Sequence, residues 1–189
     1  MTSNNNRVPP GQEVTEDFPT LQKGNVPEFD PEDWEFKVLG EIKNPTKLTW
    51  TEFQELSTTT KITDFHCVTG WTKLDCEWRG VQLEEIIKLA KPKDTVTHVM
   101  IHCSDDYTTN LPLEELMRED VLLAYEFEGK KLKPEHGGPL RLIVPQKYAY
   151  KSAKWVELIE FMSGDEKGYW EKRGYSNTAD PWSEDRYSD

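Results

Sequence analysis

The stretch Asp64-Phe65-His66-Cys67-Val68-Thr69-Gly70-Trp71 is the most informative part of this 189-residue chain. It reads as a strand that enters a turn, with Cys67 at the junction. Two later stretches belong with it, His136-Gly137-Gly138-Pro139-Leu140-Arg141-Leu142-Ile143-Val144-Pro145 and Lys151-Ser152-Ala153-Lys154-Trp155. A thiolate is a soft metal ligand, and a loop of lysine, arginine, serine and backbone N–H groups suits a phosphate or another anion. Together the three stretches predict a metal that is carried on an anionic cofactor.

The chain is acidic overall but keeps one basic segment. It has 23 Lys and Arg residues against 35 Asp and Glu residues, a net charge of −12, which argues against binding to nucleic acid or to an anionic membrane surface. Within residues 130–154 the basic residues are Lys130, Lys131, Lys133, Arg141, Lys147, Lys151 and Lys154. The first three are expected at the surface. Arg141, Lys151 and Lys154 alternate with apolar residues, where an unpaired charge is costly, so we expect them to bind an anion.

The chain divides into an arm, a body and a tail. Residues 1–33 are polar and rich in proline, which predicts an extended N-terminal arm, and residues 34–189 are predicted to form one domain with a docked C-terminal tail. No apolar run approaches the roughly 20 residues that span a bilayer, and the start has no export signal, so we expect a cytoplasmic location. In a reducing compartment Cys67, Cys76 and Cys103 are expected to be free thiols.

Helices and strands are mixed along the body, which predicts an α+β fold with a mixed β-sheet core and short helices. Apolar patterns predict strands over residues 34–38, 96–103, 121–127, 130–132, 140–144 and 155–161. Apolar residues at helical spacing predict a helix from Leu83 to Ala90 that ends before Pro92, and Pro112 begins another helix that reaches about Met117. The polar run over residues 105–110 reads as a loop.

Each candidate residue also has a simpler interpretation. A lone cysteine such as Cys67 is often a small buried hydrophobe, and His136 with its adjacent glycines is compatible with a plain turn. Two other functions therefore stay open beside a cofactor enzyme. One is a zinc- or thiol-dependent protein that uses Cys67 with His66 or His102. The other is a non-catalytic module whose basic segment binds an anionic ligand.

Several segments together carry a family resemblance. They are the Cys67 run, Trp78-Arg79-Gly80-Val81, Tyr107-Thr108-Thr109-Asn110-Leu111-Pro112, His136 to Pro145 and Lys151 to Trp155. In combination they resemble the molybdenum-cofactor domain of the sulfite oxidase family, and most closely its small single-domain branch. The catalytic subunit of the periplasmic methionine sulfoxide reductase is a more distant relative. The resemblance covers roughly residues 34–161, and it implies the sulfite oxidase molybdopterin-domain fold with molybdenum-molybdopterin as the cofactor.

The resemblance also implies roles for individual residues. Cys67 matches the cysteine whose thiolate binds molybdenum, and Cys103 stands where relatives place a small polar contact to the cofactor. The residues matched to the pterin and to the loop around its phosphate are, in chain order, His136, Arg141, Ser152, Ala153 and Lys154. The implied chemistry is two-electron oxygen-atom transfer on a small-molecule substrate, with an unidentified electron donor or acceptor.

The substrate side of the site departs from the family pattern. Sulfite oxidases follow the cysteine with an Asn-Arg-Arg type of run, whereas here Val68-Thr69-Gly70-Trp71 follows it. A sulfite-like anion would lack bidentate donors at that place, so we expect poor sulfite oxidation and better activity with a neutral S-oxide or N-oxide. Tyr107, the second catalytic candidate, and Tyr148 are expected to form aromatic walls of the substrate pocket.

Overall fold

Two β-sheets, three short helices and a few 3₁₀ turns make up the structure, a computed structural model that describes residues 7–188. The predicted α+β class with a mixed sheet core is confirmed. The first six residues of the predicted arm, and Asp189 of the predicted tail, lie outside the described residues.

The secondary-structure elements are short and follow one another closely. The strands are β1 (Glu13–Val14), β2 (Glu35–Gly40), β3 (Thr46–Thr49), β4 (Thr58–His66), β5 (Trp71–Gln82), β6 (His98–Cys103), β7 (Thr108–Pro112), β8 (Leu122–Phe127), β9 (Lys130–Lys131), β10 (Arg141–Ile143) and β11 (Val156–Met162). The helices are α1 (Trp50–Gln54), α2 (Leu83–Ala90) and α3 (Leu113–Leu116). The 3₁₀ turns are Pro134–His136, Ala149–Lys151 and Glu171–Arg173.

Local sequence explains where the helices begin and end. In α1, Thr49 and Glu52 form a reciprocal capping box that satisfies two free N–H groups of the first turn. Helix α2 buries one face, made of Leu83, Ile86 and Ala90. It ends where Lys91 adopts a left-handed conformation, directly before a proline that cannot continue a helix. With eight residues, α2 is the longest helix of residues 7–188, and none of the described helices has the length and apolarity to cross a membrane.

The two sheets differ in how their strands are connected. In the first sheet, β5 pairs in antiparallel fashion with β4 and β8 and in parallel fashion with β1, and β8 continues to β9 and β10. The second sheet has the order β3-β2-β11-β6-β7, in which only the β2–β11 pair is parallel. The predicted hairpin of β8 and β9 is confirmed, as is the strand that ends before Cys67.

Strand alternation divides the apolar residues of the first sheet between two clusters. The main core contains Leu123 and Leu142 and lies between the sheets and the helices. On the opposite face is a smaller group, here called the aromatic cluster, which consists of Phe65, Cys76, Trp78, Leu122, Ala124, Leu132 and Ile143. Because β10 alternates, Arg141 shares a face with Ile143 and therefore lies on the side of the aromatic cluster.

The chain segments before β2 and after β11 pack against this framework. Strand β1 pairs with the start of β5, and Phe18 packs on the aromatic cluster with its ring 5.3 Å from that of Phe65. In the C-terminal segment, Tyr169 and Trp170 pack on the main core. Both segments also reach the end of the first sheet where Cys67 lies, since β1 pairs with Trp71 and Thr72, and Arg186 donates to Val68 O.

The prediction of a loop over residues 105–110 is wrong in its second half. From Thr108 onward the chain forms β7, an edge strand of the second sheet. Its polar side chains are buried because partners far away in sequence satisfy them: Thr109 donates to Glu171 at 2.6 Å, and Asn110 donates to Asp165 at 2.5 Å. Polar composition indicated a loop only because these partners lie in the C-terminal segment.

Candidate active site

A cavity of about 300 Å³ opens at the end of the first sheet, beside the turn that joins β4 to β5. Six of the eight predicted site residues line it, namely Cys67, Tyr107, Arg141, Ser152, Ala153 and Lys154. The cavity therefore brings together residues from three distant parts of the chain, as the pairing of a thiol with a basic segment predicted.

The turn of residues 67–70, here called the thiol loop, presents Cys67 to the cavity. The backbone N–H of Cys67 donates to Trp71 O at 2.8 Å, and Gly70 N–H donates back to Cys67 O at 3.1 Å. Gly70 has a φ of 102°, a left-handed conformation that favours glycine. The Cys67 Sγ atom lies 3.1 Å from the hydroxyl of Thr69 and is otherwise largely buried. The three cysteines are free thiols, as predicted.

Arg141 is a buried cation on the cavity wall. Its Nη1 donates to His136 O at 2.8 Å, and its guanidinium lies 4.8 Å from the centre of the Phe65 ring. Its Nε is buried without a hydrogen-bond partner among residues 7–188, and it forms no ion pair with any of them. Burial lowers the pKa of Arg141 to about 10, so the group stays charged at neutral pH. A buried charge without a counter-charge from the chain points to an anionic ligand.

Lys154 lies beside Arg141 and adds a second cation. Its Nζ donates to Glu135 O at 2.6 Å. Burial, and next the neighbouring Arg141, lower the pKa of Lys154 to about 7. Gly137 has a φ of 111°, and a Cβ there would lie 3.1 Å from the Lys154 side chain and 3.2 Å from Arg141 Cβ. The glycine thus lets the two cationic side chains pack side by side.

Ser152 and Ala153 attach the Lys154 segment to β10. The Ser152 hydroxyl accepts a hydrogen bond from Val144 N–H at 2.9 Å, and Ala153 O accepts one from Leu142 N–H at 2.9 Å. These bonds fix the segment to the strand that carries Arg141, so the two cations keep a constant separation.

Two predicted cofactor residues are not on the cavity wall. Cys103 is buried in the main core, where burial raises the pKa of its thiol. His136 stacks its ring on Phe18 at 4.6 Å and reaches Arg141 only through its backbone carbonyl. Of the two glycines that follow it, Gly138 approaches the protein's own backbone rather than a ligand, since a Cβ there would lie 2.2 Å from Leu132 O.

The predictions that Lys151 binds an anion and that Tyr148 walls the pocket are wrong. Lys151 is fully buried, with its Nζ 2.5 Å from Glu171 Oε1, so its counter-charge comes from the chain itself. Tyr148 is fully buried away from the cavity, and Tyr150 lines the wall instead. Tyr107 does line it, but its hydroxyl donates to Tyr150 O at 2.5 Å. Burial raises the pKa of Tyr107, which keeps the phenol protonated.

Sequence reasoning did not identify the wall residues that come from the two ends of the chain. They are Phe18, Leu21, Gln22 and Lys23 from the N-terminal segment and Trp170 and Tyr175 from the C-terminal segment. The polar, proline-rich composition of residues 1–33 predicted only an extended arm. Where the arm docks depends on contacts between residues far apart in the sequence.

The histidines near the site are engaged elsewhere. His66 Nδ1 lies 2.9 Å from the Thr72 hydroxyl, and His102 Nε2 lies 2.9 Å from Glu160 on the second sheet. Across residues 7–188, no three His, Cys, Asp or Glu side chains are grouped so that they could hold a metal ion.

Comparison with known proteins assigns the family. The model of the family described as "Oxidoreductase molybdopterin binding domain" matches residues 23–170. The chain belongs to this family. This molybdopterin-binding chain is 40% identical to the "Uncharacterized oxidoreductase YuiH" of Bacillus subtilis, over 96% of its own length and 92% of that protein.

Other relatives are longer than this chain. It is 31% identical to the protein-methionine-sulfoxide reductase catalytic subunit MsrP of Campylobacter jejuni, over 76% of this chain but only 54% of MsrP. The crystal structure of the sulfane dehydrogenase SoxCD from Paracoccus pantotrophus superposes with a TM-score of 0.68 at 21% identity, covering 79% of this chain and 42% of that one. The latter match shows the fold alone.

The residues around the cavity fit this cofactor. Molybdopterin carries a phosphate, and the cavity wall supplies a buried guanidinium with an unsatisfied Nε and an adjacent ammonium. A thiol, which is a soft metal ligand, lies on the wall of the same cavity. The protein is a molybdenum-cofactor-dependent oxidoreductase, which replaces both the zinc or thiol alternative and the non-catalytic anion-binding alternative.

Proposed function

We propose that this molybdopterin enzyme catalyses two-electron oxygen-atom transfer on a small substrate, with the Cys67 thiolate as the protein ligand to molybdenum. When bound, the cofactor supplies the redox chemistry, and the protein supplies orientation, electrostatics and access. The observation that carries the proposal is the presence of Cys67 in one cavity with two cations, Arg141 and Lys154, that have no carboxylate partner in residues 7–188.

The two cations have separate tasks in this proposal. Arg141 is held rigidly by the carbonyl of His136 and the ring of Phe65, so its free Nε is presented in a fixed direction. Lys154 has a pKa near neutrality without a ligand, and an anion beside it would favour the charged form. Arg141 is therefore the permanent anchor for an anionic group, whereas Lys154, which is about half protonated near neutral pH, becomes more fully charged as that group binds.

The aromatic part of the wall serves substrate access. Tyr107, Tyr150 and Trp170 line the cavity, and the Tyr107 hydroxyl hydrogen is already donated to a backbone carbonyl. Tyr107 thus shapes the pocket and keeps it dry, and we do not assign it a proton transfer. An aromatic wall shapes the pocket and offers few groups that would compete for the metal. Such a wall suits oxygen-atom transfer, which needs an open coordination position on the metal and a partly dry pocket.

The test of Cys67 is its replacement by serine, with Cys76→Ser as the matched control. Cys76 is fully buried in the aromatic cluster, and burial raises the pKa of its thiol to about 12, so it is a poor metal ligand. We expect Cys67→Ser to lose the colour of the metal–thiolate bond and all turnover while the protein stays folded. Cys76→Ser should keep both. A fully active Cys67→Ser enzyme would show that another group binds the metal.

The substrate is proposed to be neutral or weakly charged, such as an S-oxide or an N-oxide. The thiol loop contains no arginine. If Arg141 and Lys154 hold the cofactor, Lys23 is the further cation on the wall, and its Nζ already donates to Asp105 O. Steady-state assays with sulfite and with a panel of oxides test this. A kcat/KM for sulfite of roughly 10⁶ M⁻¹s⁻¹ or above, in the range of efficient enzymes, would contradict it.

A further inference from the structure

Two segments from opposite ends of the sequence meet at the thiol loop. From the N-terminal side, Gln12 Nε2 donates to Cys67 O at 3.1 Å. From the C-terminal side, Arg186 Nη1 donates to Val68 O. The two segments also contact each other, because Arg186 Nη2 donates to Gly11 O at 3.2 Å. The thiol loop, which joins β4 to β5, is thus fixed by hydrogen bonds from two segments that lie outside the β4–β5 hairpin.

Arg186 is itself held in place. Its guanidinium lies 5.1 Å from the centre of the Tyr148 ring, and Glu184 lies 3.9 Å from it. Gly11 has a φ of 65°, and a Cβ at this position would lie 3.1 Å from Arg186 Nη2. The absence of a side chain at Gly11 lets the guanidinium reach the N-terminal backbone and the thiol loop together.

Gln12 is fixed in the same manner from the other side. Its Oε1 accepts a hydrogen bond from the Thr72 hydroxyl at 3.3 Å, and that hydroxyl also lies 2.9 Å from His66 Nδ1. Beside it, the backbone N–H of Glu13 donates to Gly70 O at 2.9 Å. The carbonyls of Cys67, Val68 and Gly70 therefore all accept hydrogen bonds from the two outer segments.

We propose that Gln12 and Arg186 are positioning residues that fix the direction of the Cys67 thiol towards the cavity, an inference that rests on the proposed role of Cys67. Neither side chain lines the cavity, so both act through the loop backbone. A metal ligand is oriented by the groups that hydrogen-bond to it and to its surroundings. A four-residue turn whose carbonyls were left to water would allow the thiol to sample other directions.

The experiment measures the alkylation rate of each cysteine by iodoacetamide in the cofactor-free full-length protein, mapped by mass spectrometry. We expect Arg186→Met to raise the rate at Cys67 by about tenfold, the effect of losing one charge-assisted hydrogen bond, and Gln12→Met to raise it by about fivefold, the effect of losing one neutral hydrogen bond. Arg186→Lys keeps one donor and should fall between Arg186→Met and the wild type. Cys76, fully buried, reports on general loosening and should not change.

Arg173→Met is the matched control. Arg173 also lies in the C-terminal segment, 3.6 Å from an aromatic ring centre, and donates to a backbone carbonyl, but it contacts Tyr169 and not the thiol loop. We expect it to leave the Cys67 rate within about twofold of wild type. In the molybdenum-loaded enzyme, Arg186→Met should shift the thiolate-to-metal absorption band at an unchanged ratio of molybdenum to protein.

Two results would overturn the inference. One is a Cys67 rate that stays within about twofold of wild type in both Arg186→Met and Gln12→Met. The other is a parallel rise at Cys67 and Cys76, which would make the two residues general stabilisers of the fold. Because alkylation is measured without cofactor, these outcomes are separate from a failure of the Cys67→Ser test, which addresses the proposed function itself.

Discussion

Replacing Arg141 by methionine should have opposite effects on the stability of the cofactor-free protein and on cofactor retention. The pKa of Arg141 is lowered from 12.5 to about 10, which means that burying the charged guanidinium costs roughly 3 kcal/mol of free energy. Methionine removes this cost and keeps an apolar side chain against Phe65. It loses one charge-assisted hydrogen bond, to His136 O, worth about 1.5–3 kcal/mol. The cofactor-free variant should therefore unfold with a free energy equal to or slightly above that of wild type.

The holo-protein should respond in the other direction. If Arg141 donates to an anionic group of the cofactor, losing a charge-assisted contact of about 1.5–3 kcal/mol lowers retention by roughly tenfold or more. Urea unfolding of the cofactor-free protein and the molybdenum-to-protein ratio after purification measure the two effects. Arg79→Met, which removes a half-exposed arginine paired with Glu126, is the control and should change neither by much. A variant that is destabilised by more than about 2 kcal/mol but retains its molybdenum would make Arg141 a structural residue.

Two further predictions concern Lys151 and Lys154. Lys151→Met leaves the buried Glu171 carboxylate without its cation and should lower the free energy of unfolding, measured by urea titration, by about 3–5 kcal/mol. A loss below about 1 kcal/mol would contradict the importance of the buried ion pair. In the folded protein the pKa of Lys154 is lowered from 10.5 to about 7. Between pH 7 and pH 10.5 the unfolded chain therefore binds more protons than the folded protein, and the contribution of Lys154 to the free energy of unfolding rises with pH. Sulfate, which does not titrate there, should accordingly bind the cofactor-free protein at least about tenfold more weakly at pH 9 than at pH 6, and calorimetry on Lys154→Met should show little pH dependence.

The parts of the fold that the sequence predicted are those with local patterns. Helix α2 follows from apolar residues at helical spacing and a proline after Lys91, and the β8–β9 hairpin follows from a glycine turn between apolar runs. Strand β7 was not predicted, because the groups that satisfy Thr109 and Asn110 lie in the C-terminal segment. Local pattern contains no information about partners so far away.

The same distinction applies to the site. Cys67, Arg141 and Lys154 were predicted as site residues because residue type and neighbouring sequence indicate a metal-binding thiolate and an anion site, and the structure places all three around one cavity. Lys151 looked equivalent to Lys154, since both are lysines in a stretch of small and apolar residues. Only the position of Glu171 separates a lysine in a buried ion pair from one that lines the cavity. Gln12 and Arg186 carry no motif, and their role depends wholly on where the two outer segments dock.

The alternation of side chains along β10 limits which mutations this family can tolerate. Its three residues alternate, so that Leu142 contributes to the main core while Arg141 and Ile143 face the other side. A slip by one residue against β8 would exchange the two faces, burying the guanidinium among aliphatic side chains and withdrawing it from the cavity. Deletions within this strand would therefore damage folding and ligand binding in one step. Substitutions at Leu142 and at Arg141, by contrast, can be selected independently for packing and for chemistry.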